Sequence, residues 1–182
     1  VVGSNDLTAP VIEASYRRFL KIMNAIIARQ TFVLGAQPSS ADFGIYAQLT
    51  QLAKFDPTPM SICLEEAPRV FAWTDVVDDL SGQVCHADGW MSLNEIKEVL
   101  GPLLAEIGRV YAPILIANAK ALQDGENQLK TIIDGKSWQQ PTFPYHGKCL
   151  GWINDEYQKL SNEDKTQVND IIAGTGCETM LQ

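Results

Sequence analysis

Two cysteine–histidine pairs contain the residue types best suited to thiol chemistry or metal binding. They are Cys85-His86 and His146-Gly-Lys-Cys149, and they use both histidines of the chain. A four-ligand zinc site would need both pairs. Adjacent Cys and His side chains rarely converge on one ion, and the pairs lie far apart in the sequence, so we predict no metal site. A thiolate at Cys149 assisted by His146, one helical turn earlier, stays open as an alternative to ordinary packing.

Ser39 and Asp42 are residues that can act as a nucleophile and an acid in catalysis, but their spacing favours a structural role. Residues three apart at the start of a helix can form a capping box, in which each side chain accepts the backbone N–H of the other residue. A catalytic serine would also need a general base, and no histidine is near in the sequence. We predict a structural N-cap at Ser39 and Asp42, and no catalytic or cofactor-binding residue in this chain.

Aromatic residues in the last third of the chain could line an apolar pocket. The candidates for pocket lining are Trp138, Phe143, Tyr145 and Trp152. Rings at these spacings also fit simple packing between a hairpin and a helix, and both interpretations stay open. Arg69 and Arg109 lie beside apolar helical segments and could bind a carboxylate, although each also has acidic neighbours.

Capping residues and turn residues predict the elements that must position these side chains. Ser-x-x-Asp/Glu boxes begin helices at Ser39, Ser92 and Ser161. Asp134-Gly135, between two segments of roughly alternating polarity, predicts a β-hairpin over 128–140. The other predicted elements are helices at about 8–30, 58–66, 68–81 and 145–160, with a loop at 83–91. The fold class is therefore all-α with one small β-hairpin.

Three helices carry more specific expectations. Gly101-Pro102 should bend or break the helix that follows Ser92, and Pro113 should begin another. The helix at about 39–54 is apolar on nearly all sides, which predicts that it is the most buried helix of the domain. The first helix should bury one stripe at alternating spacings of four and three, formed by Ile12, Tyr16, Phe19, Met23 and Ile26.

Composition restricts the function classes. With 182 residues, 46% apolar residues and 20% charged residues, the chain has the composition of an ordinary globular protein. Its net charge of -8 argues against nucleic acid and against anionic membrane surfaces as partners. No uninterrupted apolar run has the length of about 18 residues expected of a membrane span. The four cysteines are widely spaced and are expected to be unpaired, which indicates a cytoplasmic location.

Three sequence motifs together resemble the C-terminal helical domain of glutathione S-transferases. The first is Phe32-Val-Leu-Gly-x-x-Pro-Ser-x-Ala-Asp42, which resembles the entry into the central helix of that domain. It is followed by Asp56-Pro-Thr-Pro59 and by Ala67-Pro-Arg-Val-Phe-Ala-Trp73, which resemble the next loop and a proline-started helix. The resemblance covers about 11–82. It implies a helical core at 1–82 that lacks its first part, and a helical extension at 83–182 packed on the same core.

The resemblance also implies a function for the complete protein. In that family, glutathione and the Ser, Tyr or Cys that activates it belong to an N-terminal thioredoxin-like domain, while the helical domain supplies a hydrophobic wall for the second substrate. We therefore expect a longer protein that uses glutathione, with this chain inactive alone. An apolar strip should be exposed where the missing N-terminal domain packs, and a homodimer through that strip stays open. The alternative is a non-catalytic protein-interaction scaffold, a role that relatives of the family also have.

Overall fold

Prolines and capping side chains set where the helices of this protein begin. Pro57, Pro68 and Pro144 each occupy a first helical position, where the absent N–H costs no hydrogen bond. Asp56 precedes the helix that begins at Pro57, and its carboxylate accepts the N–H of Thr58 at 3.1 Å. The structure, a computed structural model, describes residues 4–181.

The described chain is mostly helical with one small antiparallel sheet, which confirms the predicted fold class. The elements in chain order are α1 (Ala9–Arg29), α2 (Ser40–Leu52), α3 (Pro57–Glu66), α4 (Pro68–Asp78), α5 (Leu93–Glu106), a π-helix (Ile107–Tyr111), α6 (Ala112–Gln123), β1 (Gln128–Ile133), β2 (Lys136–Pro141), α7 (Pro144–Lys159), α8 (Asn162–Ile172) and a 3₁₀ turn (Cys177–Met180).

Two compact units make up the chain. One unit is Tyr16–Leu100, and the other combines the residues up to Ser15 with those from Gly101 onward. The division falls inside α1 and inside α5, so it differs from the boundary at 82/83 drawn from the family resemblance. That boundary stays a prediction about the extension.

The unit Tyr16–Leu100 is built from α1 to α4 and the loop that follows them. Its core includes side chains with little or no exposed surface, namely Leu20, Met23, Ile26, Leu49, Cys63, Val70 and Trp73. Met23 and Ile26 of the predicted α1 stripe are buried, whereas Tyr16 and Phe19 are half-buried. The Tyr16 hydroxyl instead donates to the carbonyl oxygen of Pro59 at 3.2 Å, which fixes this part of α1 on α3.

The expectation that α2 is the most buried helix is wrong. Within α2, Asp42 and Leu49 are the buried residues, while Phe43 is 50% exposed and Leu52 is 37% exposed. The sequence shows that the helix is uncharged on nearly all sides, but this pattern does not reveal whether the chain itself covers every side. Here one side of α2 is left uncovered.

The helix after Ser92 does not break at Gly101-Pro102, so a break, one of the two expected outcomes, is not observed. α5 continues through Pro102, and the backbone stays helical from Leu93 to Gln123. The irregularity lies later, in the π-helix, which ends directly before Ala112-Pro113. Pro113 has no N–H, and its ring would clash with the carbonyl four residues earlier. The wider π turn relieves that crowding, since Ala112 bonds to the carbonyl oxygen of Ile107.

The second unit packs a hairpin and two helices against α6. β1 and β2 pair in the register Leu129↔Gln140 and Ile133↔Lys136. Asp134 and Gly135 have φ values of 49° and 73°, as the two central positions of a type I′ turn require. Leu129, Ile133 and Trp138 form a buried cluster with Val11 and Ala121, and a second cluster joins α6, α7, α8 and the 3₁₀ turn.

One helical run, Leu93–Gln123, is long and apolar enough to cross a bilayer by length and composition alone. Only 22% of its most apolar 18-residue window is buried. Charged residues interrupt the run throughout, among them Glu98, Glu106 and Arg109. The expectation of no membrane partner stays a prediction.

Candidate functional site

Ser39 and Asp42 form the capping box of α2, with both residues buried. The Asp42 Oδ2 atom accepts the Ser39 N–H at 2.8 Å and the Ser39 hydroxyl at 2.6 Å. Its Oδ1 atom accepts the N–H of Val33 at 2.8 Å. These three donors occupy the carboxylate and tie the hydroxyl to it. The pair therefore anchors the start of α2 to the preceding turn and presents no free nucleophile.

The turn before α2 is joined to the loop that carries Cys85 and His86. Gly35 has φ of 135°, and a Cβ atom there would lie 2.4 Å from the carbonyl oxygen of Gly89, so no other residue fits. The Gly89 carbonyl accepts the N–H of Ala36 at 2.8 Å, and the backbone N–H of His86 donates to Gln37 Oε1 at 2.9 Å. In the sequence, the signal for this contact is limited to the two glycines, Gly35 and Gly89.

The two cysteine–histidine pairs lie in different units. Cys85 and His86 are exposed in the unit Tyr16–Leu100, whereas His146 and Cys149 lie near the start of α7 in the other unit. Within the part of the chain that the structure describes, all four cysteines are unpaired and no three His, Cys, Asp or Glu side chains are placed to hold a metal ion.

His146 and Cys149 have ordinary packing partners. The His146 ring lies 5.4 Å from the Phe143 ring, and its Nδ1 atom is buried without a hydrogen-bond partner among the described residues. Cys149 is half-buried near Tyr111, whose pKa is raised by burial and then by the neighbouring thiol. An activated nucleophile needs a lowered pKa, so the Tyr111 hydroxyl is not one, while the thiolate at Cys149 assisted by His146 stays a prediction.

The pKa is also raised for the other hydroxyls and thiols whose pKa differs from its ordinary value. Burial raises the pKa of the Tyr16 hydroxyl, of the Cys63 thiol and of the Cys177 thiol. The Tyr46 hydroxyl donates to Asp78, and this hydrogen bond raises the Tyr46 pKa. A raised pKa favours the protonated form, which for a thiol is the less reactive one.

The four aromatic candidates have different surroundings. Trp138 is buried under the hairpin, where its indole N–H donates to Gln140 Oε1 at 3.0 Å. Phe143 is held through its backbone by the buried Asn118 side chain, at 2.8 and 2.9 Å. Tyr145 and Trp152 are exposed on α7 and form an edge-to-face pair with centroids 5.6 Å apart.

A cleft of about 410 Å³ lies between the end of α1 and one face of α4. One wall is formed by 27–31, and the other by Arg69, Ala72, Trp73 and Val76. The Trp73 indole N–H donates to the carbonyl oxygen of Thr31 at 2.8 Å, which holds the two walls together. Sequence reasoning missed the cleft, although the spacing of 69, 72, 73 and 76 places these residues on one helical face.

The uncovered side of α2 is a second surface feature, which we name the uncharged face. It carries no ionisable side chain and consists of Ser40, Ala41, Phe43, Gly44, Ala47, Gln48, Gln51 and Leu52. A helix face that meets water is ordinarily rich in charged residues. An uncharged half-helix with an exposed Phe and an exposed Leu is instead typical of a surface that packs against another protein element.

The fold defines a helical domain with a capped α2 and proline-started α3 and α4. The family model of the glutathione S-transferase C-terminal domain matches residues 9–75, which contain α2, α3 and most of α4. The chain therefore contains a glutathione S-transferase-like helical domain in this segment, as the sequence motifs predicted. No curated protein and no solved structure matches the chain.

Proposed function

We propose that this chain is the helical domain of a glutathione S-transferase-like protein in which a thioredoxin-like domain binds and activates glutathione. The helical domain then supplies the packing surface for that domain and the hydrophobic wall for the second substrate. The observation that carries the proposal is the uncharged face of α2, inside the segment 9–75 that matches the family.

The chemistry of the chain supports a division of labour between two domains. Attack on an electrophilic carbon needs a glutathione thiolate, and thiolate formation needs a group that lowers the thiol pKa. The Tyr16 hydroxyl already donates to the carbonyl oxygen of Pro59 at 3.2 Å, and the Cys63 thiol is fully buried, so neither offers a free donor to such a thiolate. Apolar surface for an electrophile is available, since Phe43 and Phe55 are 50% and 77% exposed.

The first test is the activity of the isolated chain. We expect the purified 182-residue protein neither to conjugate glutathione to a generic aryl halide nor to be retained on glutathione resin. Conjugation above the rate in buffer, if it were lost on mutation of one residue of this chain, would locate a catalytic group here and contradict the proposal.

The second test uses the complete gene product. We expect its sequence to include a thioredoxin-like domain, with a Ser, Tyr or Cys at the active position and a cis-proline, and we expect it to conjugate glutathione. Phe43→Glu, which places a charge on the uncharged face, should loosen domain packing and increase protease cleavage between the domains. Ile132→Glu is the matched control on an exposed apolar residue of β1, and it should leave cleavage and conjugation unchanged. A complete product without that domain would refute the proposal.

A scaffold function has one observation in its favour. Tyr145 and Trp152 are 62% and 52% exposed and pack edge to face on α7, and exposed aromatic pairs are frequent in protein interfaces. If the complete protein lacked conjugating activity and Trp152→Ala abolished its association with a partner protein, the scaffold would be the better description. Under either description we propose a cytoplasmic location, which the unpaired cysteines support.

A further inference from the structure

The cleft between α1 and α4 has the features of a ligand site of its own. Its volume of about 410 Å³ falls in the range of roughly 300–1,000 Å³ found for small-molecule pockets. None of the residues that line it is acidic, although the chain has a net charge of -8. We propose that this cleft binds a small monocarboxylate with an apolar body, with the Arg69 guanidinium holding the carboxylate.

Arg69 is the cation in the cleft that remains available. The bond given for its side chain is a hydrogen bond from Nη1 to Asn24 Oδ1 at 3.3 Å, and no described ion pair involves it. Arg29, on the opposite wall, is already engaged by Glu98 at 2.8 Å. A guanidinium binds a carboxylate through two parallel N–H bonds, and only part of that donor set is used at Arg69.

The position of Arg69 adds to its preference for an anion. It follows Pro68 in the first turn of α4, an eleven-residue helix whose N-terminal end carries a partial positive charge. α4 has no acidic residue in its first turn, and no side chain caps its N-terminus. The charge of Arg69 and the partial charge at the N-terminus of α4 are therefore both positive at this end of the cleft.

The remainder of the cleft selects for an apolar body. Ile27 and Ala28 form one side, and Ala72 and Val76 follow Arg69 along α4 on the other. Val76 is 45% exposed, so a hydrocarbon chain extending from Arg69 toward Val76 would cover apolar surface that now meets water. A carboxylate at one end and a short alkyl or aryl chain along α4 fit this order of residues.

Titration calorimetry with octanoate tests the proposal. The comparison ligands are octanol, which lacks the carboxylate, and acetate, which lacks the long apolar chain, and we name these two the half-ligands. We expect octanoate to bind, and both half-ligands to bind at least about tenfold more weakly, because each lacks one of the two interactions. Arg69→Gln should weaken octanoate binding about tenfold or more, since it removes a charged hydrogen-bond partner. Arg109→Gln removes the same charge from the other unit, where Arg109 pairs with Asp134, and should leave the affinity unchanged.

A second variant keeps the test independent of Arg69. Val76→Glu places a carboxylate beside the ligand chain and should also weaken binding about tenfold or more. Val84→Glu, at another exposed valine of the same unit, is its control. Circular dichroism establishes that each variant is folded before its affinity is compared.

Three outcomes overturn the proposal. They are no octanoate binding at millimolar concentration, equal affinity for octanol and octanoate, and unchanged affinity in both Arg69→Gln and Val76→Glu. Binding of a peptide through its C-terminal carboxylate without binding of octanoate would likewise refute a small-molecule site. These readouts involve neither glutathione nor a second domain, so their failure is separate from failure of the proposed function.

Discussion

The capping boxes at Ser39 and at Ser92 have the same local geometry in different surroundings. In each, the serine N–H donates to a carboxylate oxygen at 2.8 Å and the serine hydroxyl donates to the same oxygen at 2.6 Å. Asp42 is fully buried and accepts a further bond from Val33, whereas Glu95 is exposed. The distances cannot distinguish the two boxes, so any difference in their effect on stability must come from burial.

Burial changes what happens when a box is broken. Around Glu95, water can replace each lost hydrogen bond, and the cost of mutation is small. Around Asp42, the N–H groups of Val33 and Ser39 would stay buried without an acceptor. An unsatisfied buried donor costs about 1–3 kcal/mol. The sequence pattern therefore predicts the bonds, and the tertiary surroundings determine their contribution to the free energy of unfolding.

The largest expected effect is that of Asp42→Ala. It leaves two buried backbone donors and the Ser39 hydroxyl unpaired, so we expect the free energy of unfolding to fall by about 3 kcal/mol or more. Urea denaturation followed by circular dichroism measures the change. Asp164→Ala is the control, since it breaks the exposed box in which Ser161 donates to Asp164 at 2.7 Å. If Asp42→Ala and Asp164→Ala lowered the free energy of unfolding by the same amount, burial would not change the contribution of a capping box to stability.

A pair of glycines on one helical run extends the comparison from side chains to backbone. A Cβ atom at Gly108 would lie 2.1 Å from the carbonyl oxygen of Thr175 and 2.8 Å from Gly176 backbone atoms, whereas nothing lies within 4 Å of one at Gly101. Gly108→Ala should therefore lower the free energy of unfolding by about 1–3 kcal/mol, because the neighbouring backbone must move. Gly101→Ala should raise it by up to about 1 kcal/mol through helix propensity.

Hydrogen exchange locates the effect of the Gly108 substitution. The 3₁₀ turn Cys177–Met180 is held at the end of α5, just before the π-helix, since the Cys177 thiol donates to the carbonyl oxygen of Leu104 at 3.1 Å. We expect faster exchange in this turn in Gly108→Ala and no change there in Gly101→Ala. If Gly108→Ala were as stable as the parent protein and exchanged equally slowly, the close contact between Gly108 and Gly176 would have no energetic role.

Local signals were sufficient for much of the fold. Serine boxes, first-turn prolines and the Asp134-Gly135 turn act over a few residues, so they predicted the element starts and the hairpin from the sequence alone. The break expected at Gly101-Pro102 did not occur, since the helix continues through Pro102 although proline has no N–H to donate. The π-helix lies directly before Ala112-Pro113, but its Gly108 also lies against the distant Gly176, a contact that no local pattern contains.

The candidate surfaces were harder to predict because they depend on which helix faces the rest of the chain leaves exposed. The uncharged sequence of α2 fits a buried helix and an interface helix equally well, and only the structure shows Phe43 half exposed. Arg69 was noted as a carboxylate ligand together with Arg109, but the sequence could not separate them. In the structure Arg109 pairs with Asp134, while Arg69 lines a cleft without acidic residues.

The smallest expected effect is the pH dependence of the exposed box at Ser92. Its hydroxyl, and then its backbone N–H, lower the pKa of Glu95 below the ordinary value. A carboxylate whose pKa is lowered by folding adds stability above its unfolded pKa, and this contribution is lost as the pH falls through the folded value. Ser92→Ala should therefore raise the Glu95 pKa, as measured by NMR titration of the side-chain carboxyl. The stability difference from the parent should be largest near neutral pH and should disappear in acid. An unchanged Glu95 pKa in Ser92→Ala would assign the shift to another source, for which nearby Arg29 is the candidate.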